Sequence, residues 1–148
     1  MQEWQFDCVI PGAPIGKGRP RAAKMGNHVR LYTPKRTADW ERSSALIMRN
    51  AWMSPPSESL CKAKITAVFP RPKRLLRKKD PEHRIWHSSK PDIDNVCKSV
   101  LDSLVMAGVI RDDTQVVFLS AKSVYASKDE GPCVEVSVTS IDGLGPAK

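Results

Sequence analysis

The chain has 148 residues and a formal net charge of +8 at pH 7. This length suits a single domain and is too short for two, and the excess of positive charge favours an anionic partner, with nucleic acid the first candidate. No apolar run reaches transmembrane length and the first eight residues are too polar for a signal peptide, so we expect a cytoplasmic protein without a membrane partner.

The first third of the chain predicts two short strands and a helix. Apolar and polar residues alternate in the first segment, as in a half-buried strand with Trp4, Phe6, Cys8 and Ile10 inside. A loop over Pro11–Met25 and a turn at Gly26 then precede a strand over Val29–Tyr32. Thr33 and Pro34 predict the cap and first position of a helix. Its packed side is expected to hold Trp40, Ser44, Ile47, Met48 and Ala51.

The loop over Pro11–Met25 carries candidate DNA contacts. Lys17, Arg19 and Arg21 could neutralise DNA phosphates from a flexible loop. The loop is not a phosphate-binding P-loop, because Gly18 stands where Ser or Thr would hold the metal. A basic loop that is merely solvated remains the alternative.

A second basic loop follows the next predicted strand, Cys61–Phe69. It spans Pro70–Ser89, breaks every periodicity, and is expected to be mobile when free and ordered on DNA. Trp86 in this loop could stack on an unpaired base or anchor the loop to the protein. The candidate DNA contacts in this loop are Arg71, Lys73, Arg74, Arg77, Lys78 and Lys79.

The remainder of the chain predicts one long helix and two strands. Asp92 or Asp94 suits the cap of a helix that ends near Gly108, and an acidic turn and a strand over Val116–Tyr125 follow. A hairpin connection over Ser127–Gly131 then leads to a last antiparallel strand with Val134, Val136 and Val138 inside. We expect a single domain over residues 1–142 and a flexible tail over residues 143–148. The cysteines at 8, 61, 97 and 133 form no C-x-x-C pair, so we expect buried free thiols.

The charged residues in and around this long helix are candidates for a metal-binding site. Asp94, Lys98 and Asp102 are spaced to lie along one stripe of the helix, with Asp92 before it and Asp113 after it. Neighbouring carboxylates repel unless a cation lies between them, and oxygen ligands of this kind suit Mg²⁺ or Mn²⁺. The same residues could instead be helix caps, an exposed ion-pair ladder and an ordinary turn. The residues by themselves leave both interpretations open.

The combined motifs resemble the RusA family of Holliday-junction resolvases. The resemblance is carried by Lys90-Pro91-Asp92-Ile93-Asp94-Asn95, Lys98, Leu101-Asp102-Ser103-Leu104, Gly108 and Asp112-Asp113-Thr114-Gln115-Val116-Val117. Ile10-Pro11-Gly12, Gly16-Lys17-Gly18-Arg19-Pro20-Arg21 and Tyr32-Thr33-Pro34 resemble the N-terminal pattern of its phage-type branch. The resemblance implies a mixed α/β (α+β) fold with a small mixed sheet and two main helices. It also implies a Mg²⁺-dependent endonuclease, without an organic cofactor, that acts as a homodimer and resolves four-way DNA junctions by paired symmetric nicks.

The resemblance also assigns roles to individual residues. Asp92, Asp94 and Asp113 would be the catalytic, metal-holding carboxylates, with one or two ions, and Lys98 would be the catalytic lysine. A helix from Asp94 to Ala107 is about 20 Å long, and the six residues from Ala107 to Asp113 barely span that distance. Asp113 must therefore return along its own helix or join a partner chain, and we favour a site within one subunit. A less selective flap nuclease and a non-catalytic branched-DNA-binding protein remain the alternatives.

Overall fold

The computed structural model describes residues 3–146 as a mixed α+β fold with two long helices and two sheets. This confirms the predicted fold class. The strands are β1 (Gln5–Pro11), β2 (Arg21–Met25), β3 (His28–Tyr32), β4 (Cys61–Phe69), β5 (Ile85–Trp86), β6 (Val116–Tyr125) and β7 (Cys133–Ser140). The helices are α1 (Lys35–Ala51) and α2 (Ile93–Ala107), and short 3-10 turns cover Lys73–Leu75 and Asp113–Gln115.

The main sheet has five strands in the order β1-β7-β4-β6-β5. β4 and β6 are parallel, and every other neighbouring pair is antiparallel. The predicted hairpin at Ser127–Gly131 is therefore wrong, because β7 pairs with β1 and β4 rather than with β6. The chain after β6 therefore passes the end of β4 and returns as β7 on the other side of β4, antiparallel to it. On the side away from β4, β6 pairs with the two-residue strand β5.

Both helices cover one face of this sheet, and the buried side chains between helices and sheet form the core. α1 packs against α2 and β1, and α2 packs against β4 and β6. Along α2, Val96, Val100 and Leu104 recur at four-residue steps and are fully buried, as the periodicity predicts. The helix ends at Gly108, whose φ of +77° gives the left-handed closing conformation that glycine adopts without strain. This packing fixes which stripe of α2 faces outward.

The N-terminal region differs from the prediction in two places. The loop ends at Pro20, because β2 and β3 form a separate ribbon around the turn at Gly26. Most of this ribbon is exposed on both faces, so its sequence lacks the alternation that reveals a half-buried strand. Thr33 is not the cap of α1, because Pro34 occupies that position with an extended ψ of 143°.

The predicted packed side of α1 is confirmed only in part. Trp40, Ser44 and Met48 are buried, whereas Ile47 is half-buried and Ala51 is exposed. Ala51 is the last residue of the helix, so it lies beyond the core that the preceding turns cover.

The segment Pro70–Ser89 is more regular than its sequence predicts. It contains a 3-10 turn and β5, and internal bonds hold it against the sheet. The guanidinium of Arg84 bonds Glu130 at 2.6 Å and Glu135 at 2.9 Å. The ammonium of Lys128 donates to the carbonyl oxygen of Arg77 at 2.7 Å. Because these partners lie 46 or more residues apart in sequence, no local sequence pattern predicts these contacts.

The cysteines are free thiols, as predicted, but only Cys61 and Cys97 are buried, whereas Cys8 and Cys133 are half-buried. Burial raises the pKa of the Cys61 and Cys97 thiols to about 11. No helix within residues 3–146 is long and apolar enough to cross a membrane. The predicted tail forms neither helix nor strand over residues 143–146, and its last two residues lie outside the described part of the chain.

Candidate active site

The N-terminal end of α2 places Asp92, Asp94 and Lys98 on an exposed surface. Asp92 occupies the cap position, Asp94 lies in the first turn, and Lys98 follows one turn later. The loop before β2 holds this end in place, since the backbone N–H of Lys17 donates to the Asn95 carbonyl at 2.9 Å. A side chain at Gly16 would place its Cβ 2.7 Å from the Cβ of Pro91, so only glycine permits this close approach. The loop is therefore docked on α2 at Gly16 and Lys17.

The two carboxylates at this end have no internal partner. Asp92 makes no side-chain capping bond, and within residues 3–146 neither it, Asp94 nor Lys98 forms an ion pair. The alternative interpretation of Asp94, Lys98 and Asp102 as an ion-pair ladder is not met within residues 3–146, where Asp102 pairs with Lys17 instead. A helix N-terminus favours negative charge, so it can support two ionised carboxylates close together.

These carboxylates fit a hard divalent cation. Mg²⁺ is commonly held by one or two carboxylates and completed by water and substrate phosphate, which exposed and unbonded oxygens allow. Asp92 and Asp94 could therefore supply two protein ligands. The described residues nevertheless contain no group of three His, Cys, Asp or Glu side chains close enough to hold a metal together.

Asp113 lies elsewhere on the molecule. It begins the 3-10 turn that Asp112 caps through a 2.9 Å bond from the N–H of Thr114. The pKa of Asp113 is raised, first by a hydrogen bond to Asp112 and then by burial and by the charges of Asp112 and Asp102. Its acidic neighbour on α2 is thus Asp102, which is eight residues and about 12 Å along the helix from Asp94.

The sheet also places Asp113 away from the segment that leads to Asp92. Asp113 precedes the start of β6, whereas the segment that leads to Asp92 is bonded near the end of that strand, where the N–H of His87 donates to the Ser123 carbonyl. Seven residues of strand between Val116 and Ser123 span about 23 Å. The structure therefore brings Asp92, Asp94 and Lys98 together and leaves Asp113 apart from them.

Lys17 is engaged inside the protein rather than free for DNA. Its ammonium lies 3.1 Å from Glu41 and 2.9 Å from Asp102, so it joins the loop to both helices. The pKa of Lys17 is raised: burial alone would lower it, but the bonds to Asp102 and Glu41 outweigh that effect. Glu41 is only 3% exposed, and it was not among the functional residues predicted from the sequence. Its position between the buried Trp40 and Ser44 on the packed side of α1 was the available signal.

A basic cleft opens beside Asp92. Its volume is about 650 Å³, and it lies between the loop before β2, the start of α1 and the segment Lys90–Asp92. Four exposed basic side chains line it: Arg19, Arg21, Arg36 and Lys90. Arg19 and Arg21 were predicted DNA contacts, whereas Arg36 and Lys90 were not among them. A strand of nucleic acid in this cleft would pass directly over Asp92.

The candidate contacts in the segment Pro70–Ser89 fall into two groups. Arg77 bonds Asp80 at 3.3 Å. Arg71 is half-buried: its Nη1 lies 3.5 Å from the His83 carbonyl oxygen, and its Nε and Nη2 have no partner among residues 3–146. Trp86 is 76% exposed, and the segment is instead anchored by His87, whose ring stacks on Phe69 with centroids 3.7 Å apart. The exposed side chains without an ion pair in the described part of the chain are Lys73, Arg74, Lys78 and Lys79.

Comparison with known proteins identifies the family of the chain. The family described as Endodeoxyribonuclease RusA matches residues 11–139, which include every candidate site residue. The chain is 26% identical over 144 residues to "Uncharacterized protein YqaN" of Bacillus subtilis (strain 168), covering 92% of this chain and 99% of that protein. It is 36% identical over 56 residues to "Crossover junction endodeoxyribonuclease rusA" of Lactococcus phage r1t, covering 38% of this chain and 40% of that protein. The chain is thus a member of the RusA family of endodeoxyribonucleases.

Proposed function

We propose that this endodeoxyribonuclease is metal-dependent and resolves four-way DNA junctions by paired symmetric nicks. The observation that carries the proposal is the pair of exposed carboxylates, Asp92 and Asp94, whose side chains have no bonded partner within residues 3–146. Asp92 lines a basic cleft, and Asp94 lies one turn before Lys98. Family membership supports cleavage of DNA. The name of the phage relative supports the junction as substrate. Four free thiols and a DNA substrate suit the cytoplasm.

The side chains at this end of α2 divide the work of phosphodiester hydrolysis. Arg19, Arg21 and Arg36 would neutralise the DNA backbone in the cleft and set the path of the strand. Asp92 and Asp94 would hold Mg²⁺, or Mn²⁺ as a substitute. Such an ion lowers the pKa of a bound water and stabilises developing negative charge. Lys98 would donate a hydrogen bond to the phosphate oxygen that gains charge in the transition state.

We propose further that Asp113 completes the site of a second subunit. Its distance from Asp94 along the helix and β6 favours this arrangement over the single-subunit site that we expected from the sequence. A homodimer also suits the reaction, because two symmetric nicks require two copies of the cutting site. The two-fold axis of such a dimer would match the pseudo-two-fold axis of the junction.

The deciding experiment is cleavage of a synthetic four-way junction with a movable crossover, beside matched linear and flap DNA. We expect paired symmetric nicks in the junction that are lost with EDTA and in Asp94→Asn, while binding of the junction persists. Asp7→Asn is the matched control, since Asp7 is an exposed carboxylate on β1, and it should cut normally.

Other outcomes would contradict this proposal in specific ways. Equal cutting of flaps would indicate a less selective branched-DNA nuclease. Tight binding of the junction without cutting under any divalent ion would indicate a DNA-binding protein without catalysis.

A further inference from the structure

The ribbon formed by β2 and β3 stands apart from the core. Within residues 3–146 these two strands pair only with each other, around the turn at Gly26. Every residue from Arg21 to Tyr32 is exposed except Ala23, which is half-buried. Antiparallel strands rise about 3.4 Å per residue, so a ribbon of five residue pairs is about 17 Å long. The ribbon therefore projects into solvent with both of its faces accessible.

The root of the ribbon is fixed to the body of the protein. Just before β2, the N–H of Gly18 donates to the Thr37 hydroxyl of α1 at 3.0 Å. A Cβ at Gly18 would lie 2.9 Å from the Cγ of Pro34, the residue that caps α1 after β3. The segments that enter and leave the ribbon therefore contact each other and α1. The direction in which the ribbon projects is set by these contacts and does not depend on a partner.

The charged side chains of the ribbon are all basic. The sequence has no acidic residue between Asp7 and Asp39. Arg21, Lys24 and Arg30 are exposed, and none of them forms an ion pair within residues 3–146. Arg21, the first residue of β2, also lines the basic cleft beside Asp92. A projecting basic element that continues the wall of a basic cleft fits an anionic polymer that extends out of that cleft.

The two faces of the ribbon differ in chemistry. Directly paired residues share a face, and successive residues of a strand alternate between faces. One face, which we call the arginine face, consists of the pairs Arg21 with Tyr32, Ala23 with Arg30 and Met25 with His28. The opposite face consists of the pairs Ala22 with Leu31 and Lys24 with Val29. The arginine face thus holds most of the hydrogen-bond donors and the residue that lines the cleft.

We propose that the ribbon enters the major groove of a DNA arm that leaves the cleft, and that Arg30 reads a guanine there. The major groove is about 12 Å wide and admits a two-stranded ribbon, whereas the minor groove is only about 6 Å wide. Arginine donates to both O6 and N7 of guanine, which no other base pair offers in the same pattern. The small side chain of Ala23, opposite Arg30, leaves the guanidinium group uncovered.

This contact would determine where the chain cuts. Arg21 and Asp92 line the same cleft, so the root of the ribbon lies beside the candidate carboxylates. A ribbon about 17 Å long spans about five base pairs at about 3.4 Å each, which places the guanine within about five base pairs of the nicked phosphate. The inference rests on the proposed function in one respect, that DNA lies in the cleft beside Asp92.

Binding measured in EDTA tests the contact without catalysis. The native chain should bind a four-way junction at least about threefold more tightly than the same junction built with 7-deazaguanine, which lacks the N7 acceptor. Arg30→Ala should bind the two junctions equally. Lys24→Ala is the matched control, because Lys24 is an exposed basic residue on the opposite face of the ribbon. It should weaken binding of both junctions by the same factor and keep the difference between them.

Cleavage of the junction with a movable crossover tests the consequence. Native nicks should be concentrated at positions that have a guanine at one fixed distance from the cut. Arg30→Ala should lower the preference for these positions by roughly 5–100-fold while cutting continues elsewhere. Lys24→Ala should keep the preference. Both variants should retain the native circular dichroism spectrum and Tm, because both side chains are exposed and form no ion pair within residues 3–146.

The outcomes separate this inference from the proposed function. Equal binding of the two junctions by the native chain, or a guanine preference that persists in Arg30→Ala, would overturn the inference. A preference lost in Lys24→Ala but kept in Arg30→Ala would assign the contact to the wrong face and overturn it as well. A chain that binds with the expected guanine preference but cuts no junction under any divalent ion would contradict the proposed function alone.

Discussion

The two ends of α2 carry the same type of residue under opposite conditions. At the N-terminal end, Asp92 and Asp94 are exposed, and their carboxylates form no hydrogen bond or ion pair within residues 3–146. Toward the other end, Asp102 holds the ammonium of Lys17, and the nearby Asp112 caps a 3-10 turn. A carboxylate with an internal partner has its geometry fixed for stability. A carboxylate without one keeps its oxygens for a ligand, which separates the candidate site from its acidic surroundings.

The largest expected effect tests this comparison directly. Asp92→Asn should lower the single-turnover rate of junction cleavage by at least about 10²-fold, because it removes a charge that we propose holds the metal. Its Tm should stay within a degree or two of the native value, since no internal bond is lost. Asp102→Asn should lower the Tm and reduce cleavage less. If Asp92→Asn unfolds easily while its cleavage persists, the comparison is wrong.

The second prediction concerns the buried end of the ion network. Glu41→Gln removes the buried carboxylate and leaves the half-buried Lys17 ammonium with Asp102 as its remaining partner, so it should reduce the free energy of unfolding by about 2–3 kcal/mol. In a chain of this size that corresponds to a Tm roughly 5–10 °C lower. Asp39→Asn, which removes the exposed pair with Lys35 on the same helix, should cost less than about 0.5 kcal/mol. Calorimetric melting of the two variants compares them, and equal losses would contradict a structural role for Lys17.

A third, smaller effect depends on pH. The hydrogen bonds from Arg84 and, second, from the backbone N–H of Ser127 lower the pKa of Glu130 from 4.5 to about 2. A lowered carboxyl pKa in the folded state stabilises the protein above pH 4.5, and that contribution is lost as the pH falls from 4.5 toward 2. Arg84→Met should therefore lower stability by about 1–2 kcal/mol near neutral pH and progressively less in acid. Urea unfolding at several pH values measures this difference, and a constant difference would refute the assignment.

The smallest expected effect tests whether Arg36 in the cleft contacts DNA. Arg36→Gln should weaken junction binding by roughly 3–10-fold and reduce the salt dependence of binding by about one phosphate contact. Arg42→Gln is the matched control, because Arg42 lies on the same helix and pairs with Asp39 at 3.2 Å. Binding isotherms at several salt concentrations separate the two variants. Equal slopes for both would remove Arg36 from the DNA path.

The parts of the molecule that sequence could predict are local. The four-residue steps of Val96, Val100 and Leu104 define α2. The candidate residues Asp92, Asp94 and Lys98 lie at its N-cap and in its first two turns. The Lys17–Glu41–Asp102 network joins three distant segments and leaves no periodic signal. The position of β7 between β1 and β4 is likewise a long-range choice, and a hairpin was the simpler local solution.

The close approach at Gly16 has a consequence for how DNA is received. With Gly16 against Pro91 and the Lys17 N–H bonded to Asn95, the wall of the cleft and the start of α2 form one rigid unit. The conformational entropy of ordering this wall is therefore lost during folding and not when DNA binds. If the chain selects junctions as we propose, discrimination against linear duplex would then come from the shape of the DNA that fits a preorganised surface, rather than from a loop that closes over it.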